Sequence, residues 1–155
     1  MMKAMLPGTF DPPTNGHLNL IERAASIFDK LYVIIADNSA KTCTFSVGER
    51  KTILQQLLQQ HKNIEVLSWD RMVVDFAREY DVKVMLRGVR ALADFSYEFE
   101  LAMTNKQLNP EIEIFFMPTD PQYFVLRSSA IKELAAFGAD ISKMVPRSVA
   151  DLLLP

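Results

Sequence analysis

Apolar and polar positions along the chain follow two different periods in alternation. Short, nearly continuous apolar runs occur at KAML (3–6), LYVIIA (31–36), IEVLSW (64–69), VKVMLR (82–87) and EIEIFFM (111–117). Runs of this length that are rich in Val, Ile and Leu are typical of strands buried on both faces of a parallel sheet. The pattern therefore predicts five strands.

Segments between and after these runs have apolar residues every three or four positions, which indicates amphipathic helices. A Ser46/Glu49 capping box marks the start of the second helix. In the fourth helix the spacing predicts that Phe95 and Phe99 lie in the core. The predicted helices cover about 18–28, 46–60, 71–80, 93–107, a segment capped by Ser128 or Ser129, and a short segment with Pro146 in its first turn.

This alternation of strands and helices predicts the fold class. It favours a single α/β domain over 1–155, built as a Rossmann-like, doubly wound, five-stranded parallel sheet with helices on both faces. In such sheets ligands bind beyond the carboxyl ends of the strands, where the strand order reverses. Candidate chemistry is therefore expected in the loops that follow the strands.

Composition narrows the class of protein. The 155 residues are 49% hydrophobic and 23% charged with a net charge of −2, which is typical of a globular protein and argues against an extended nucleic-acid surface. No apolar run approaches the roughly 20 residues of a membrane helix, and the first residues lack the features of a signal peptide. We expect a cytoplasmic protein with no membrane or nucleic-acid partner. The lone Cys43 excludes an internal disulfide.

The first loop, PGTFDPPTNGH (7–17), has the composition of a phosphate site. Thr14 is a candidate N-cap that places Gly16 and His17 in the first turn of the helix. A helix N-terminus offers unpaired N–H groups and the positive end of the dipole, which favour an anion. His17 in this position is either a surface residue or a donor to a phosphoryl oxygen whose charge grows in a transition state.

The fourth loop begins with a second candidate, two arginines around a glycine. Arg87 and Arg90 flank Gly88 and Val89 at the end of the fourth predicted strand. Guanidinium groups bind phosphates through paired hydrogen bonds. If the first and fourth strands are neighbours, both loops meet over one ligand, and Lys41 after the second strand adds a third positive charge.

Several other motifs are absent. There is no G-x-G-x-x-G after the first strand, so the usual dinucleotide fingerprint is missing. Only His17 and His61 occur in the chain, which argues against a metal cluster. Ser128 and Ser129 have no His or Asp partner nearby in the sequence and are expected to cap a helix.

Taken together, these residues resemble a known family. GTFDPPTNGH resembles the [T/H]-x-G-H signature of the nucleotidyltransferase superfamily, and RGVRALADFSYEFELA with SSAIKEL is similar to the bacterial phosphopantetheine adenylyltransferases. The resemblance covers the whole chain in order. It implies transfer of AMP from ATP to 4′-phosphopantetheine, giving 3′-dephospho-coenzyme A and pyrophosphate. It also implies a homohexamer and Mg²⁺ carried by the ATP phosphates, with no metal ligand from the protein.

The resemblance implies a catalytic role for His17, as transition-state stabiliser, and for Lys41 and Arg90. The same comparison implies which residues bind the acceptor, 4′-phosphopantetheine: Thr9, Lys41, Val73 and Arg87.

A larger set is implied to surround ATP, drawn from the first loop, the fourth loop and the segment before the fifth helix. Its members are Thr9, Phe10, His17, Gly88, Val89, Arg90, Glu98, Tyr123, Phe124, Val125, Leu126, Arg127, Ser128 and Ser129.

Two positions depart from the family pattern. Arg71 stands where the family usually has another type of residue, and Arg127 stands where a serine commonly opens a triple-serine stretch. Rival interpretations keep the T-x-G-H signature with another acceptor, namely nicotinamide mononucleotide or glycerol phosphate. LRSSAIKE (126–133) argues against the cytidylyl enzymes, which carry R-T-E-G-I-S-T-T there. A non-catalytic nucleotide sensor on the same fold is a third alternative.

Overall fold

The computed structural model describes residues 1–123 and 127–154, so the predicted ATP-site residues Phe124, Val125 and Leu126 lie outside the described chain. Strands and helices alternate as predicted. The strands are β1 (Lys3–Gly8), β2 (Lys30–Ala36), β3 (Ile64–Trp69), β4 (Val84–Val89) and β5 (Glu113–Pro118), and the helices are α1 (Asn15–Ala25), α2 (Val47–Leu57), α3 (Val73–Glu79), α4 (Leu92–Leu108), α5 (Ser128–Ala136) and α6 (Arg147–Leu153).

All five strands form one parallel sheet in the order β3-β2-β1-β4-β5. The chain winds outward from β1 through β2 to β3, then returns to the other side of β1 to build β4 and β5. The order therefore reverses between β1 and β4, where Ala4 pairs with Val84 and Met5 with Met85. This confirms the predicted fold class and the expectation that the first and fourth loops are neighbours.

Successive strand residues point into two separate cores. On one face of the sheet, Val33 packs with Ile21 of α1 and Leu54 of α2. On the other face, Ile34 packs with Phe76 of α3. Because both faces of β1 and β2 are covered, these strands read as continuous apolar runs rather than as an alternating pattern.

The two C-terminal helices form a third cluster beside the sheet. Ile131 of α5 and Val149 of α6 pack with Phe45 and with Ile53 of α2. This packing brings the start of α5 back over the first loop, which no local sequence pattern predicts.

β1 and β4 each extend two residues further at the carboxyl end than predicted. Pro7 and Gly8 belong to β1, because they pair in register with Ile34 and Ile35 of β2. β4 starts at Val84 rather than at residue 82 and continues to Val89. The arginine at the start of the fourth loop is therefore held in the sheet itself.

The prediction that Ser128 or Ser129 caps the fifth helix is wrong. Arg127 occupies the N-cap position, and no side chain caps α5. Ser128 is the first helical residue, and its hydroxyl donates to the Pro12 carbonyl at 3.0 Å. The hydroxyl bonds across the fold instead of capping its own helix. Pro146 likewise precedes α6 as its N-cap rather than lying in the first turn.

The prediction that Phe95 and Phe99 lie in the core is also wrong. Their exposed fractions are 38% and 49%. The buried residues of α4 are Ala102 and Asn105, which lie in the second half of the helix. In the first half, the Phe95 ring meets the Phe116 ring of β5 edge-on, with centroids 5.1 Å apart, yet both Phe95 and Phe99 keep a large exposed fraction. Among the described helices, none combines the length and apolar character needed to cross a membrane.

Candidate active site

A cavity of about 650 Å³ opens at the carboxyl ends of β1 and β4, where the strand order reverses. Its walls come from these two strand ends, the start of α1, the loop after β2 and the start of α5. The lining residues are Leu6, Pro7, Gly8, Thr9, Phe10, Asp11, Thr14, Gly16, His17, Leu20, Lys41, Thr42, Cys43, Arg87, Gly88, Arg90, Thr119, Tyr123, Arg127, Ser128, Ser129 and Lys132.

The first helix starts with a reciprocal pair of hydrogen bonds between Thr14 and His17. The His17 backbone N–H donates to Thr14 Oγ1, and the Thr14 backbone N–H donates to His17 Nδ1, both at 3.1 Å. This is a capping box with His in the place that Glu or Gln usually occupies. Because Nδ1 accepts a hydrogen bond, the proton of the neutral ring lies on Nε2.

His17 is neutral at physiological pH. Burial, together with the positive charge of Arg90, lowers the pKa of His17 to about 4. Protonation would also cost the hydrogen bond to Nδ1, because the Thr14 N–H cannot donate to a nitrogen that carries a proton. The ring is therefore an uncharged N–H donor of fixed orientation in the cavity wall.

Phe10 supports the imidazole from one side. Its ring is buried and meets the His17 ring edge-on, with centroids 5.0 Å apart. The Phe10 backbone has a φ of 52°, a left-handed conformation that costs a non-glycine residue about 1–2 kcal/mol. A Cβ on Gly8 would lie 2.9 Å from the Phe10 ring, so a glycine is required at the end of β1.

Asp11 joins three parts of the cavity wall. Its carboxylate, 4% exposed, accepts from the backbone N–H groups of Thr44 at 2.8 Å and Phe45 at 2.9 Å, and from Lys132 Nζ at 2.9 Å. Burial by itself raises the pKa of Asp11, but these hydrogen bonds and the Lys132 charge outweigh it and hold the pKa below its usual value. Asp11 therefore stays ionised.

Arg50 supplies a second connection to the first loop. This buried side chain on α2 donates to the Thr9 carbonyl at 2.7 Å and to the Phe45 carbonyl at 3.1 Å. Together with the bond from Ser128 to the Pro12 carbonyl, it anchors the loop that carries His17 at both of its sides.

Arg87 lies at the carboxyl end of β4 and is held by an acid from α4. Its Nε is 2.7 Å from Glu98 Oε2 and its Nη2 is 2.8 Å from Glu98 Oε1, while Nη1 donates to the Pro7 carbonyl at 2.8 Å. The pair is bidentate and mostly buried, with the side chains 23% and 12% exposed. This geometry fixes the plane of the guanidinium group.

Arg90 is held in a similar but looser way by Asp94, which lies one helical turn before Glu98 on α4. Its Nε lies 3.2 Å from Asp94 Oδ2, and Nη2 of Arg127 lies 3.4 Å from Asp94 Oδ1. A second hollow of about 360 Å³ lies between these groups, and Glu98 and Tyr97 are also in its wall. It adjoins the first cavity because the two share Gly88, Arg90 and Arg127.

Most of the charged side chains in the cavity wall are positive. Five basic side chains line it against the single carboxylate of Asp11 within the described residues, which suits a ligand with several phosphates. The basic residues are Lys41, Arg87, Arg90, Arg127 and Lys132.

Most of the residues predicted for the site come together. Those that line the first cavity are Thr9, Phe10, His17, Lys41, Arg87, Gly88, Arg90, Tyr123, Arg127, Ser128 and Ser129.

Three predicted residues do not line the first cavity. Val73, the first residue of α3, packs against the core cluster that contains Phe76. Val89 pairs with Pro118 in the sheet. Glu98 lines the second hollow and binds Arg87.

Sequence reasoning missed the residues that hold the wall together, namely Asp11, Arg50 and Lys132. Asp11 was hidden in a turn-forming D-P-P stretch, and Arg50 lies on a helix that reads as polar surface. Lys132 occurs within the SSAIKEL block that carries the resemblance, one helical turn after Ser128. This position could have indicated that Lys132 belongs to the site. Each of the three makes a hydrogen bond to a residue more than 30 positions away, which no local pattern reveals.

The chain is similar to known proteins over nearly its whole length. Residues 5–134 match the cytidylyltransferase-like family. The chain is 44% identical over 153 residues to a phosphopantetheine adenylyltransferase of Dictyoglomus turgidum, covering 99% of this chain and 96% of the relative. It is 49% identical over 148 residues to one of Prochlorococcus marinus, covering 96% and 94%. For one of Clostridium tetani the identity is 45% over 148 residues, covering 96% and 92%.

A solved structure shares the fold. A protein of Vibrio parahaemolyticus assigned as a nicotinate-nucleotide adenylyltransferase aligns over 100% of both chains with a TM-score of 0.70. Because the two sequences are only 17% identical, this likeness bears on the architecture alone.

Proposed function

The chain belongs to the phosphopantetheine adenylyltransferases of the cytidylyltransferase-like family, and on this premise we propose that it transfers the adenylyl group of ATP to 4′-phosphopantetheine. The products are 3′-dephospho-coenzyme A and pyrophosphate. The observation that carries this proposal is the convergence of a neutral, oriented His17 N–H donor and five cationic side chains on one cavity.

The reaction we propose is a direct in-line displacement. An oxygen of the acceptor phosphate attacks the α-phosphorus of ATP, the new P–O bond forms, and the bond from the α-phosphorus to the β-phosphate oxygen breaks. Because the attacking group is already an anion, no activated serine or cysteine is needed. Ser128 fits this view, since its hydroxyl donates to the Pro12 carbonyl rather than to a general base.

His17 would stabilise the pentacovalent transition state. Negative charge grows on the α-phosphoryl oxygens during attack, and an N–H donor fixed in advance stabilises that charge without reorganisation. A neutral donor does not need to be deprotonated or reprotonated in the cycle, which fits a pKa of about 4.

The charged residues would divide between the two substrates. Lys41 and Arg87 would bring the acceptor phosphate up against the triphosphate and offset the repulsion between the two anions. Arg90 and the N-terminus of α5, with Ser128 and Ser129, would stabilise the departing pyrophosphate.

The remaining predicted contacts are part of the same proposal. Thr9 would contact both substrates, and Val73 would line the pantetheine arm. The nucleotide would be surrounded by Phe10, Gly88, Val89, Glu98, Tyr123 and Arg127, together with the segment 124–126 that lies outside the described residues.

Mg²⁺ would enter as part of the substrate, bound to the phosphates of ATP. Within residues 1–123 and 127–154, no three or more His, Cys, Asp or Glu side chains are grouped so that they could hold a metal ion. The chemistry that Mg²⁺ supplies is charge neutralisation on the leaving phosphates. The protein's own share is to orient those phosphates through Arg90 and the start of α5.

We further propose a homohexamer in the cytoplasm, as the resemblance implies. The first half of α4 has an apolar stripe at spacings of three and four residues that is largely exposed in the single chain. Such a stripe is typical of a helix that packs against another subunit. It consists of Leu92, Phe95, Phe99 and Met103. Light scattering that gives the mass of a monomer would contradict this assembly.

One assay tests the reaction against its rivals. Pyrophosphate release from MgATP is measured with 4′-phosphopantetheine, nicotinamide mononucleotide and glycerol phosphate in parallel. We expect turnover with the first acceptor only. Turnover with another acceptor would reassign the substrate, and binding of ATP without turnover on any of them would favour the nucleotide-sensor alternative.

A further inference from the structure

Helix α4 presents two carboxylates, one turn apart, to the two arginines that flank Gly88. Asp94 and Glu98 are four residues apart, so they lie on the same face of the helix. Glu98 binds Arg87, and Asp94 binds Arg90. The order along the chain is reversed in the pairing, because the first acid meets the second arginine and the second acid meets the first.

Glu98 orients Arg87 without occupying all of its N–H donors. Three of the five N–H donors of a guanidinium group are engaged here, two by Glu98 and one by the Pro7 carbonyl. The remaining donors are free to bind a phosphate in the cavity that Arg87 lines. Because two partners on opposite sides hold the group, its plane is set before a ligand arrives.

Asp94 pairs with Arg90, the second arginine, and its carboxylate is shared between Arg90 and Arg127. One oxygen faces Arg90 and the other faces Arg127. The distances of 3.2 and 3.4 Å are longer than those of the Glu98 pair, and the Arg127 side chain is 59% exposed. We therefore expect a weaker orienting effect than at Glu98.

We propose that Glu98 and Asp94 are positioning residues with separate duties, Glu98 setting Arg87 for the acceptor phosphate and Asp94 setting Arg90 for the phosphates of ATP. This inference rests on the proposed function, and it changes one part of it. The resemblance groups Glu98 with the nucleotide, whereas its contacts in this chain connect it to the acceptor side.

Charge and orientation act in opposite directions on binding. Removing the Glu98 carboxylate takes away the negative charge that partly neutralises Arg87. This change alone would strengthen the attraction of Arg87 to a phosphate. It also releases the guanidinium group to turn away from the cavity. The bidentate geometry and low exposure of the pair make orientation the larger effect, so the affinity for the acceptor should fall.

The test compares Glu98→Gln with Asp94→Asn, each assayed with both substrates varied in turn. We expect Glu98→Gln to raise the KM for 4′-phosphopantetheine about fivefold or more and to change the KM for MgATP less than about twofold. Asp94→Asn should give the reverse pattern with a smaller rise, about two- to fivefold, for MgATP. Each variant thereby serves as the control for the other.

A third variant, Glu100→Gln, removes an exposed carboxylate from the same helix and should leave both KM values unchanged. Thermal unfolding of all three variants shows whether each is folded. A loss of stability with equal changes in both KM values would indicate a merely structural role and would overturn the inference. A rise in the KM for MgATP alone in Glu98→Gln, an unchanged or lowered acceptor KM, or equal effects of both variants would overturn it as well.

The wild-type protein separates this inference from the function on which it rests. If wild type does not use 4′-phosphopantetheine, the proposed function fails and the role of Glu98 toward the acceptor fails with it. The role of Asp94 is then decided by calorimetry with MgATP alone. Weaker binding in Asp94→Asn but not in Glu98→Gln would support it, and equal binding in both would refute it.

Discussion

The first loop (residues 7–17) and the end of β4 both line one cavity, yet they hold their polar groups by different chemistry. In the first loop, the orientation of His17 depends on a backbone amide, and the ring is neutral. At the end of β4, the orientation of Arg87 and Arg90 depends on carboxylates of α4.

This difference shows how a site can combine an uncharged donor with oriented positive charges. A neutral hydrogen bond to the backbone is insensitive to salt and does not change between about pH 6 and 8. The ion pairs at the end of β4 hold permanent charges beside the cavity, and the more exposed contact between Asp94 and Arg127 is the one that salt screens most. We therefore expect substitutions in the first loop to affect the rate of the chemical step, and those at the end of β4 to affect binding.

The largest effect is expected from His17→Ala. Loss of the fixed donor should lower kcat about 100-fold or more, with a smaller change in KM, because the contact strengthens as charge develops in the transition state. Steady-state kinetics with both substrates measure this. The matched control is His61→Ala, since His61 lies outside the cavity and should leave kcat unchanged. A raised KM with an unaltered kcat would show that His17 only binds substrate.

Lys132→Met tests the one ionic connection of the first loop. The change leaves the buried Asp11 carboxylate without its cationic partner and should lower the free energy of unfolding by about 1–3 kcal/mol, less than for a fully buried pair because Lys132 is 29% exposed. Urea unfolding of this variant and of Lys143→Met, an exposed lysine in the same part of the chain, gives the comparison. Equal stabilities would mean that the backbone amides alone hold Asp11.

The lowered pKa of His17 predicts how stability depends on pH. The folded pKa of about 4 lies below the usual 6.5, so the unfolded chain takes up the proton first as the pH falls. The His17 contribution is complete above about pH 6.5 and is lost between there and about pH 4, by on the order of 3 kcal/mol. The free energy of unfolding is measured across this pH range for wild type and for His17→Gln. The difference between the two proteins gives the contribution of His17. A difference that stays constant with pH would refute the lowered pKa.

The smallest effect is expected from Arg127→Ser, which restores the residue common in the family. The Arg127 side chain is 59% exposed and its contact with Asp94 is long. We expect the KM for MgATP to change by less than about threefold and the free energy of unfolding by less than about 0.5 kcal/mol. A much larger change in KM would show that Arg127, rather than Arg90, is the principal ligand of the ATP phosphates.

The sequence predicted the order and type of the elements well because their periods are strong and local. The Thr14 cap and the Ser46/Glu49 capping box are also confirmed, since both are decided within one helical turn. Phe95 and Phe99 were predicted wrongly because periodicity shows that a helix has an apolar face but not what that face packs against. Ser128 was predicted wrongly because its hydroxyl found a partner over 100 residues away.

By itself, then, the sequence determined the five parallel strands, the helices that follow them, the family and the loops that line the cavity. Tertiary structure alone decided that Glu98 faces Arg87, that Asp11 binds Lys132, and that Arg50 reaches the first loop. The physical reason is range. Backbone propensity and helix capping act over a few residues, whereas the pairing of buried charges depends on which distant segments the crossovers of the sheet bring into contact.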